Sequence, residues 1–293
     1  MIFEAAHRCG SQPLPAVAAQ KRLPSRDRRE WYLRLGCIAL LPITLMAAES
    51  SQERGKRVIN EAVAALGGNA FLTMNNRVES GRAYSFYREK LSGLSIAKIY
   101  TRYYDPAPGK LAVRERENFG KNEDSGVLFM DDGEGWEVTW RGARALPADT
   151  LARYKLSTLQ NIFYILRTRL KEPGMIFESK GSDVYDNAPV EIVDVTDSED
   201  RTTTVYFHRS TKLPMRQTFV RRDPKTKERF EEVTIFSKYR DVGGGVQWPF
   251  AIQRERDKEK IFEMYSDSVM VGQKLPDKLF ELPGDVKKLK PAD

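Results

Sequence analysis

The chain has 293 residues, with 48 Lys and Arg against 41 Asp and Glu, two His and two Cys. A hydrophobic share of 41% with 30% charged residues is typical of a globular protein, and it argues against a disordered chain or a polytopic membrane protein. Two cysteines are too few for a disulfide framework, and the length suits one large β domain or two smaller domains.

The first 48 residues have the pattern of a secretory signal. An arginine-rich stretch, residues 26–29, precedes the uncharged apolar run Leu35–Ala48, which is too short to span a bilayer and ends in small residues. We therefore expect residues 1–48 to be a leader and signal peptide that is removed on export to the periplasm. The mature protein then begins near Glu49.

Removal of this leader changes the charge and the chemistry of the chain. The remainder has 41 basic and 38 acidic residues, so the hypothesis of nucleic-acid binding loses its main support. Cys9 and Cys37 leave with the leader, and a chain without cysteine suits an oxidising compartment. His208 is the one histidine left, so no His/Cys cluster for zinc can form, and we expect no metal and no cofactor.

An amphipathic helix is predicted to open the mature chain. Ser50 and Glu53 have the spacing of a capping box, and apolar residues follow at helical intervals from Val58 to Leu66. The glycine pair at residues 67–68 is expected to end this helix.

From residue 77 onward the apolar period changes to two, which indicates β-strands joined by short turns. About eleven or twelve such runs can be distinguished. They lie within residues 78–86, 94–104, 111–119, 127–130, 136–140, 175–180, 190–196, 202–208, 215–221, 230–239, 246–254 and 261–270.

A second helical stretch interrupts the strands. Residues 157–160 (STLQ) have the pattern of a capping box, apolar residues recur at helical spacing from Leu159 to Leu170, and the Pro-Gly pair at 173–174 is a stop signal. We therefore predict one mainly β (α+β) domain over residues 49–286, a long curved antiparallel sheet with two helices on one face, and a frayed charged tail at 287–293.

No familiar catalytic motif is present. The sequence has no G-x-S-x-G elbow, no H-E-x-x-H pair and no Walker A lysine. His208 is predicted to be a surface or cross-strand polar residue rather than a general base. A carboxylate-dependent hydrolase stays open as a further alternative, although no spacing singles out a pair of acids. We expect a non-catalytic protein.

Aromatic and aliphatic residues are the candidates for ligand binding. Helices that cover a large curved sheet incompletely would leave an apolar concavity, which could take an apolar ligand. The alternative is that these residues only fill the core between sheet and helices. The predicted lining residues are Tyr100, Tyr104, Trp248, Phe250, Leu159 and Phe163.

Three stretches of the sequence resemble a known family. They are residues 132–136 (DGEGW), residues 213–216 (LPMR) and the ending at residues 279–286 (LFELPGDV). Together with the order of elements from Gln52 to Val286, they are similar to LolA-like proteins, the periplasmic carriers and receptors of outer-membrane lipoproteins. The resemblance implies an eleven-stranded half-barrel, covered by helices on its concave face, that binds acyl chains in its hollow without catalysis.

The resemblance also implies a polar latch on the lid. Carriers of this family place an arginine before a proline in an early strand, whereas residues 100–106 of this chain read YTRYYDP. Arg102 is therefore the candidate latch, and it lies near the motif's position rather than at it.

These observations lead to one main functional expectation and one runner-up. The main expectation is a monomeric periplasmic protein, peripheral to the membrane, that binds or transfers lipoproteins or other acyl-chain ligands in outer-membrane lipoprotein sorting. The runner-up is an envelope sensor or interaction module that uses the same fold to bind an envelope protein partner.

Overall fold

The structure, a computed structural model, describes residues 49–107, 110–123, 125–222 and 226–290. The predicted leader and signal peptide at residues 1–48 lie outside the described residues.

Among the described residues, thirteen strands form one antiparallel sheet. They are β1 (Asn76–Tyr87), β2 (Lys90–Tyr103), β3 (Val113–Phe119), β4 (Ser125–Phe129), β5 (Gly135–Thr139), β6 (Gly142–Ala145), β7 (Ile176–Tyr185), β8 (Ala188–Thr196), β9 (Thr202–His208), β10 (Pro214–Arg222), β11 (Arg229–Asp241), β12 (Gln247–Arg256) and β13 (Glu259–Val271). The mainly β class with an open antiparallel sheet is confirmed. The sequence pattern missed β6, whose residues Gly-Ala-Arg-Ala carry no alternation of large apolar side chains.

The sheet consists of two meanders joined at its centre. At the centre β1 pairs with β13. Outward from this pair, the strands are in sequence order from β1 to β6 on one side and in reverse sequence order from β13 to β7 on the other. The first and last strands of the domain therefore lie side by side, while β6 and β7 form the two edges and leave the sheet open.

Short helical segments accompany the sheet. They are α1 (Ser51–Ala65), α2 (Asn69–Thr73), α3 (Ala148–Leu159) and α4 (Ile162–Tyr164), which continues as a π-helical turn, Ile165–Arg169, and a late 3-10 turn, Asp277–Phe280. The predicted capping box of α1 is confirmed. The Ser50 hydroxyl accepts from the Glu53 amide at 3.2 Å, and the Glu53 carboxylate accepts from the Ser50 amide at 2.8 Å.

The predicted second helix is broken, and its predicted start was wrong. The helix α3 begins at Ala148, nine residues before the expected capping box, and ends at Leu159. The side chain of Asn161 then caps α4 by accepting from the amides of Phe163 and Tyr164. The carbonyl groups in the last turn of a helix have no hydrogen-bond partner within that helix. The buried guanidinium of Arg169 donates to one of them, the Leu159 carbonyl, at 2.6 Å and so stabilises the break.

The main apolar core lies between α1, α2, α4 and one face of the sheet, to which β7, β8, β9, β11, β12 and β13 contribute buried side chains. We call this face of the sheet the inner face. The helix α1 approaches β7 so closely that a Cβ atom on Gly55 would overlap the Phe177 carbonyl oxygen. Phe71, Leu166 and Phe207 fill this core and are almost fully buried.

The opposite, outer face is covered at its centre by residues 275–280, which we call the C-terminal strap. Phe280 is fully buried there against Val78 and Tyr100. Arg102 holds the strap, since its guanidinium lies 2.5 Å from an Asp277 carboxylate oxygen and 4.6 Å from the Phe280 ring.

Residues 287–289, at the start of the segment expected to be a frayed tail, are hydrogen-bonded to the domain. The Ala143 amide donates to the Lys287 carbonyl, and the Leu289 amide donates to the Ala143 carbonyl, each at 2.8 Å. Residues 287–289 therefore pair alongside the edge strand β6, with a parallel bridge between Ala143 and Lys288. Residues 291–293 lie outside the described residues.

Candidate ligand-binding cavity

A cavity of about 420 Å³ lies between the inner face of the sheet and the helices α3 and α4. Strands β1 to β3 form one wall, and β11 to β13 form the other. The volume falls in the range of sites that hold small molecules, about 300–1,000 Å³. Its apolar lining includes Ile99, Phe163, Phe236, Trp248, Ile252 and Met264, and its polar lining includes Arg77, Glu79, Thr101, Glu115, Glu117 and Arg254.

Strand register explains why polar side chains share one wall. Residues directly opposite each other in an antiparallel ladder project from the same face. Arg77 on β1 lies opposite Thr101 on β2, and Thr101 lies opposite Glu115 on β3. Side chains alternate along a strand, so residues two apart project from the same face. Glu79 therefore shares the face of Arg77, and Glu117 shares the face of Glu115. The result is a polar row across three strands.

Hydrogen bonds connect this polar row. The Arg77 Nη2 group donates to Thr101 Oγ1 at 3.1 Å, and that hydroxyl donates to Glu115 Oε2 at 3.1 Å. Glu79 lies 3.4 Å from Arg77 Nε and accepts a short hydrogen bond from the Ser266 hydroxyl. The row is therefore held rigid from β13 through β1 and β2 to β3.

Glu115 and Glu117 lie two residues apart on β3 and both line the cavity; we call them the carboxyl pair. Desolvation raises the pKa of Glu117 to about 8, and the charge of Glu115 and their shared hydrogen bond add to this effect. The positive charge of Arg254 acts in the opposite direction but does not restore the ordinary value. Glu117 therefore keeps its proton to a higher pH than an ordinary carboxyl group does.

The apolar wall is built from tightly packed aromatic rings. Phe163 meets Phe236 edge to face at 5.0 Å between ring centroids and lies 4.6 Å from Trp248. The Arg77 guanidinium stacks 4.1 Å above the Trp248 ring, so the two walls meet at this pair. The indole nitrogen of Trp248 is buried, and no described residue accepts a hydrogen bond from it.

Two of the six predicted lining residues line this cavity. Phe163 projects into it from α4 and Trp248 projects into it from β12. Phe250 is instead buried in the main core, with the Arg240 guanidinium 4.5 Å from its ring. Leu159 packs at the end of α3 against a small cluster that includes Val113.

The two predicted tyrosines are not part of the cavity lining. Tyr100 projects from the outer face and packs under the C-terminal strap. Tyr104 follows β2 and lies 5.3 Å from the Arg114 guanidinium. Successive side chains of a strand project from opposite faces of the sheet. Ile99 and Thr101 on β2 face the cavity, so Tyr100 between them faces the other way.

Arg102, the candidate latch, and His208 each make hydrogen bonds that stabilise other parts of the fold. Arg102 holds the C-terminal strap on the outer face, so it contacts neither α3 nor α4 among its described hydrogen bonds. His208 Nδ1 accepts from the amides of Ser210 and Thr211, at 3.2 and 3.1 Å, and so stabilises the turn after β9.

The polar row was missed by sequence reasoning. Arg77, Glu79, Glu115 and Glu117 are charged residues inside strands, and such residues are usually assigned to the solvent side. The available signal was the repeat of Glu at 115 and 117 within a strand that begins at a buried Val113. An acid on the same face as a buried valine indicates an interior position.

Comparisons with known proteins agree with this architecture. No family model and no curated protein sequence matches the chain. A DUF1329 family protein from Desulfovibrio piger aligns with a TM-score of 0.56 at 15% identity, over 79% of this chain and 98% of that one. A domain assigned as an outer membrane lipoprotein-sorting protein, from Vibrio parahaemolyticus, aligns with a TM-score of 0.52 at 10% identity, over 78% and 97%.

The chain has a LolA-like fold. This confirms the resemblance noted in the sequence at the level of the fold, which is what a similarity at such low identity shows. The LolA-like sheet of this chain is wider than the eleven strands that the resemblance implied. In the part of the chain that the structure describes, no helix combines the length and apolar character needed to cross a bilayer.

Proposed function

We propose that this protein is a periplasmic binding or transfer protein for acyl-chain ligands, lipoproteins among them, and that it acts without catalysis. The observation that carries the proposal is the cavity between sheet and helices, with an aromatic and aliphatic wall that an acyl chain can contact. The lipoprotein-sorting domain that shares the fold supports the same ligand class. Under this proposal residues 1–48 direct export and residues 49–286 form the binding domain.

Two isoleucines on β2 provide a matched test of the proposed function. Ile99 lines the cavity, whereas Ile96 is 50% exposed. We expect Ile99→Ser to weaken the binding of a fluorescent fatty acyl probe to the full chain by about tenfold, because an apolar contact is replaced by a hydroxyl. Ile96→Ser should leave the affinity unchanged.

The test has a clear contrary outcome. Probe affinity that is equal for the Ile99→Ser and Ile96→Ser proteins, per folded molecule, would place the acyl chain outside this cavity. Export is tested separately by N-terminal sequencing of the protein purified from the envelope. A chain that begins near Glu49 supports export, and an intact Leu35–Ala48 segment contradicts it.

A further inference from the structure

The cavity opens to solvent between α3 and β12. Along the inner face of β12, Trp248 is 3% exposed, Ile252 is half-buried and Arg254 is exposed, and all three line the cavity. The depth of the cavity therefore follows this strand, and at about 3.3 Å per residue the path from Trp248 to Arg254 is about 20 Å long. Among the described lining residues, the exposed ones are Arg153 and Ser157 on α3 and Arg254 on β12. We call the opening between these three residues the cavity mouth.

The two guanidinium groups at the cavity mouth have no acidic partner. Arg153 donates to the uncharged Thr150 hydroxyl at 3.2 Å, and the Arg254 guanidinium lies 5.4 Å from the Phe262 ring. Among the described residues, no carboxylate oxygen comes within 4.0 Å of a nitrogen of either guanidinium. Both positive charges are therefore available to a ligand at the mouth.

The surroundings of Arg254 on the inner face add to this positive charge. Arg256 lies two residues further along β12 and so projects from the same face. Glu232 accepts from both Arg221 and Arg256, at 2.9 and 3.1 Å, so one carboxylate is shared by two arginines. The carboxyl pair lies on β3, in the opposite wall of the cavity, and forms no ion pair with the arginines of the mouth.

An acyl chain that lies along β12 with its end near Trp248 has its head at the cavity mouth. Guanidinium groups form strong charge-assisted hydrogen bonds with carboxylate and phosphate oxygens. We propose that the cavity mouth selects a single-chain amphiphile with an anionic head, a carboxylate or a phosphate, which Arg153 binds from α3 and Arg254 binds from β12. This rests on the proposed acyl-binding function and names the head group of its ligand.

The proposal also ranks the possible acyl ligands. A free fatty acid or a lysophospholipid with a phosphate monoester carries negative charge at the end of its chain. An acyl chain in ester or amide linkage, as on a lipoprotein, has an uncharged group at that position and leaves both guanidinium groups without a partner. The anionic amphiphile should therefore bind more tightly than an uncharged acyl ester of the same chain length.

Four ligands with the same twelve-carbon chain test this order by titration calorimetry of the full chain at neutral pH and low ionic strength, below their micelle concentrations. They are laurate, lauroyl lysophosphatidate, glyceryl monolaurate and dodecylamine. We expect laurate to bind about tenfold more tightly than glyceryl monolaurate, and protonated dodecylamine to bind more weakly than either. The tighter of laurate and lauroyl lysophosphatidate distinguishes a fatty acid from a lysophospholipid as the source of the anionic head. Added salt should reduce the preference for laurate, because the mouth is open to solvent.

Substitutions connect the preference to the two arginines. The ratio of the laurate affinity to the glyceryl monolaurate affinity should fall about threefold in Arg254→Gln and should approach one when Arg153→Gln is added. Arg254→Glu should shift the preference towards protonated dodecylamine. Arg141→Gln is the matched control: this exposed arginine lies in the turn between β5 and β6, outside the cavity lining, and its loss removes the same charge. The ratio should stay at the wild-type value in the control.

The outcomes separate the two proposals. Equal affinity for laurate and glyceryl monolaurate, a preference that survives the double substitution, or an equal loss of preference in Arg141→Gln overturns the head-group inference and leaves the acyl-binding function standing. Failure of all four ligands to bind overturns both.

Discussion

The two faces of strands β1 and β2 differ in a way that reverses the usual arrangement. An antiparallel sheet with one covered face commonly buries apolar side chains there and exposes polar ones. In this protein the inner face presents Arg77 and Thr101 to the cavity, while the outer face presents Val78 and Tyr100 to the C-terminal strap. Both faces are buried, but one is buried beside a cavity and the other beneath a chain segment.

At these four positions the polarity of the side chain follows what covers each face. The outer face packs against the fully buried Phe280 ring, where a polar group without a partner would be costly. The inner face opens to a cavity, where charged groups can pair with each other and with a ligand. We therefore expect substitutions on the outer face to change stability and substitutions on the inner face to change binding or pH dependence.

The largest effect is expected from Phe280→Ala on the outer face. Removal of a fully buried phenylalanine side chain lowers the free energy of unfolding by about 3–5 kcal/mol. Urea denaturation measures this value, and Trp140→Ala, at a residue that is 79% exposed, is the control with little expected change. A loss of acyl-probe affinity per folded molecule in the Phe280→Ala protein would show that strap and cavity are not independent.

A smaller loss is expected when the strap loses its arginine. Arg102→Met removes the hydrogen bonds to Asp277 and to the Leu275 carbonyl and should lower the free energy of unfolding by about 1–3 kcal/mol. Asp277→Asn should change it by less than about 1 kcal/mol, because the Asp277 side chain is 86% exposed and solvent screens the pair. Equal losses in the two variants would mean that the ion pair, rather than the whole contact set of Arg102, holds the strap.

The inner face should give a pH dependence of stability through Glu117. Its pKa is about 8 in the folded chain against an ordinary value of 4.5, so between these values the folded chain binds more protons than the unfolded chain. The resulting stabilisation is fully present below pH 4.5 and is lost as the pH rises through about 8.

Urea denaturation of the wild type and of Glu117→Gln between pH 5 and about pH 8.5 measures this loss. Glutamine does not titrate, so the variant should show a flatter profile across that range. A profile that is as steep in the variant as in the wild type would assign the pH dependence to other groups.

The smallest effect is expected at the Tyr100 hydroxyl. It donates to Glu123 at 3.1 Å, so Tyr100→Phe should lower the free energy of unfolding by less than about 1 kcal/mol. Acyl-probe affinity should not change. A weaker affinity in this variant would return Tyr100 to the list of ligand-binding residues and break the distinction between the two faces.

Several elements could be predicted because their signals are local. The capping box at Ser50 and the helical spacing from Val58 predicted α1, and alternation of apolar residues predicted all strands except β6. Local signals failed at the second helix because Asn161 caps a new segment with its own side chain, and the capping pattern at 157–160 falls inside the last turn of α3.

The sequence by itself determined the mainly β class, the opening helix and which side chains of each strand share a face. Only the tertiary structure decided which of the two faces points inward, because alternation is the same for either choice. That decision put Tyr100 under the strap and Arg77 in the cavity. It also placed Glu115 and Glu117 in a desolvated site, and the raised pKa of Glu117 arises from that burial, which depends on residues distant in the sequence.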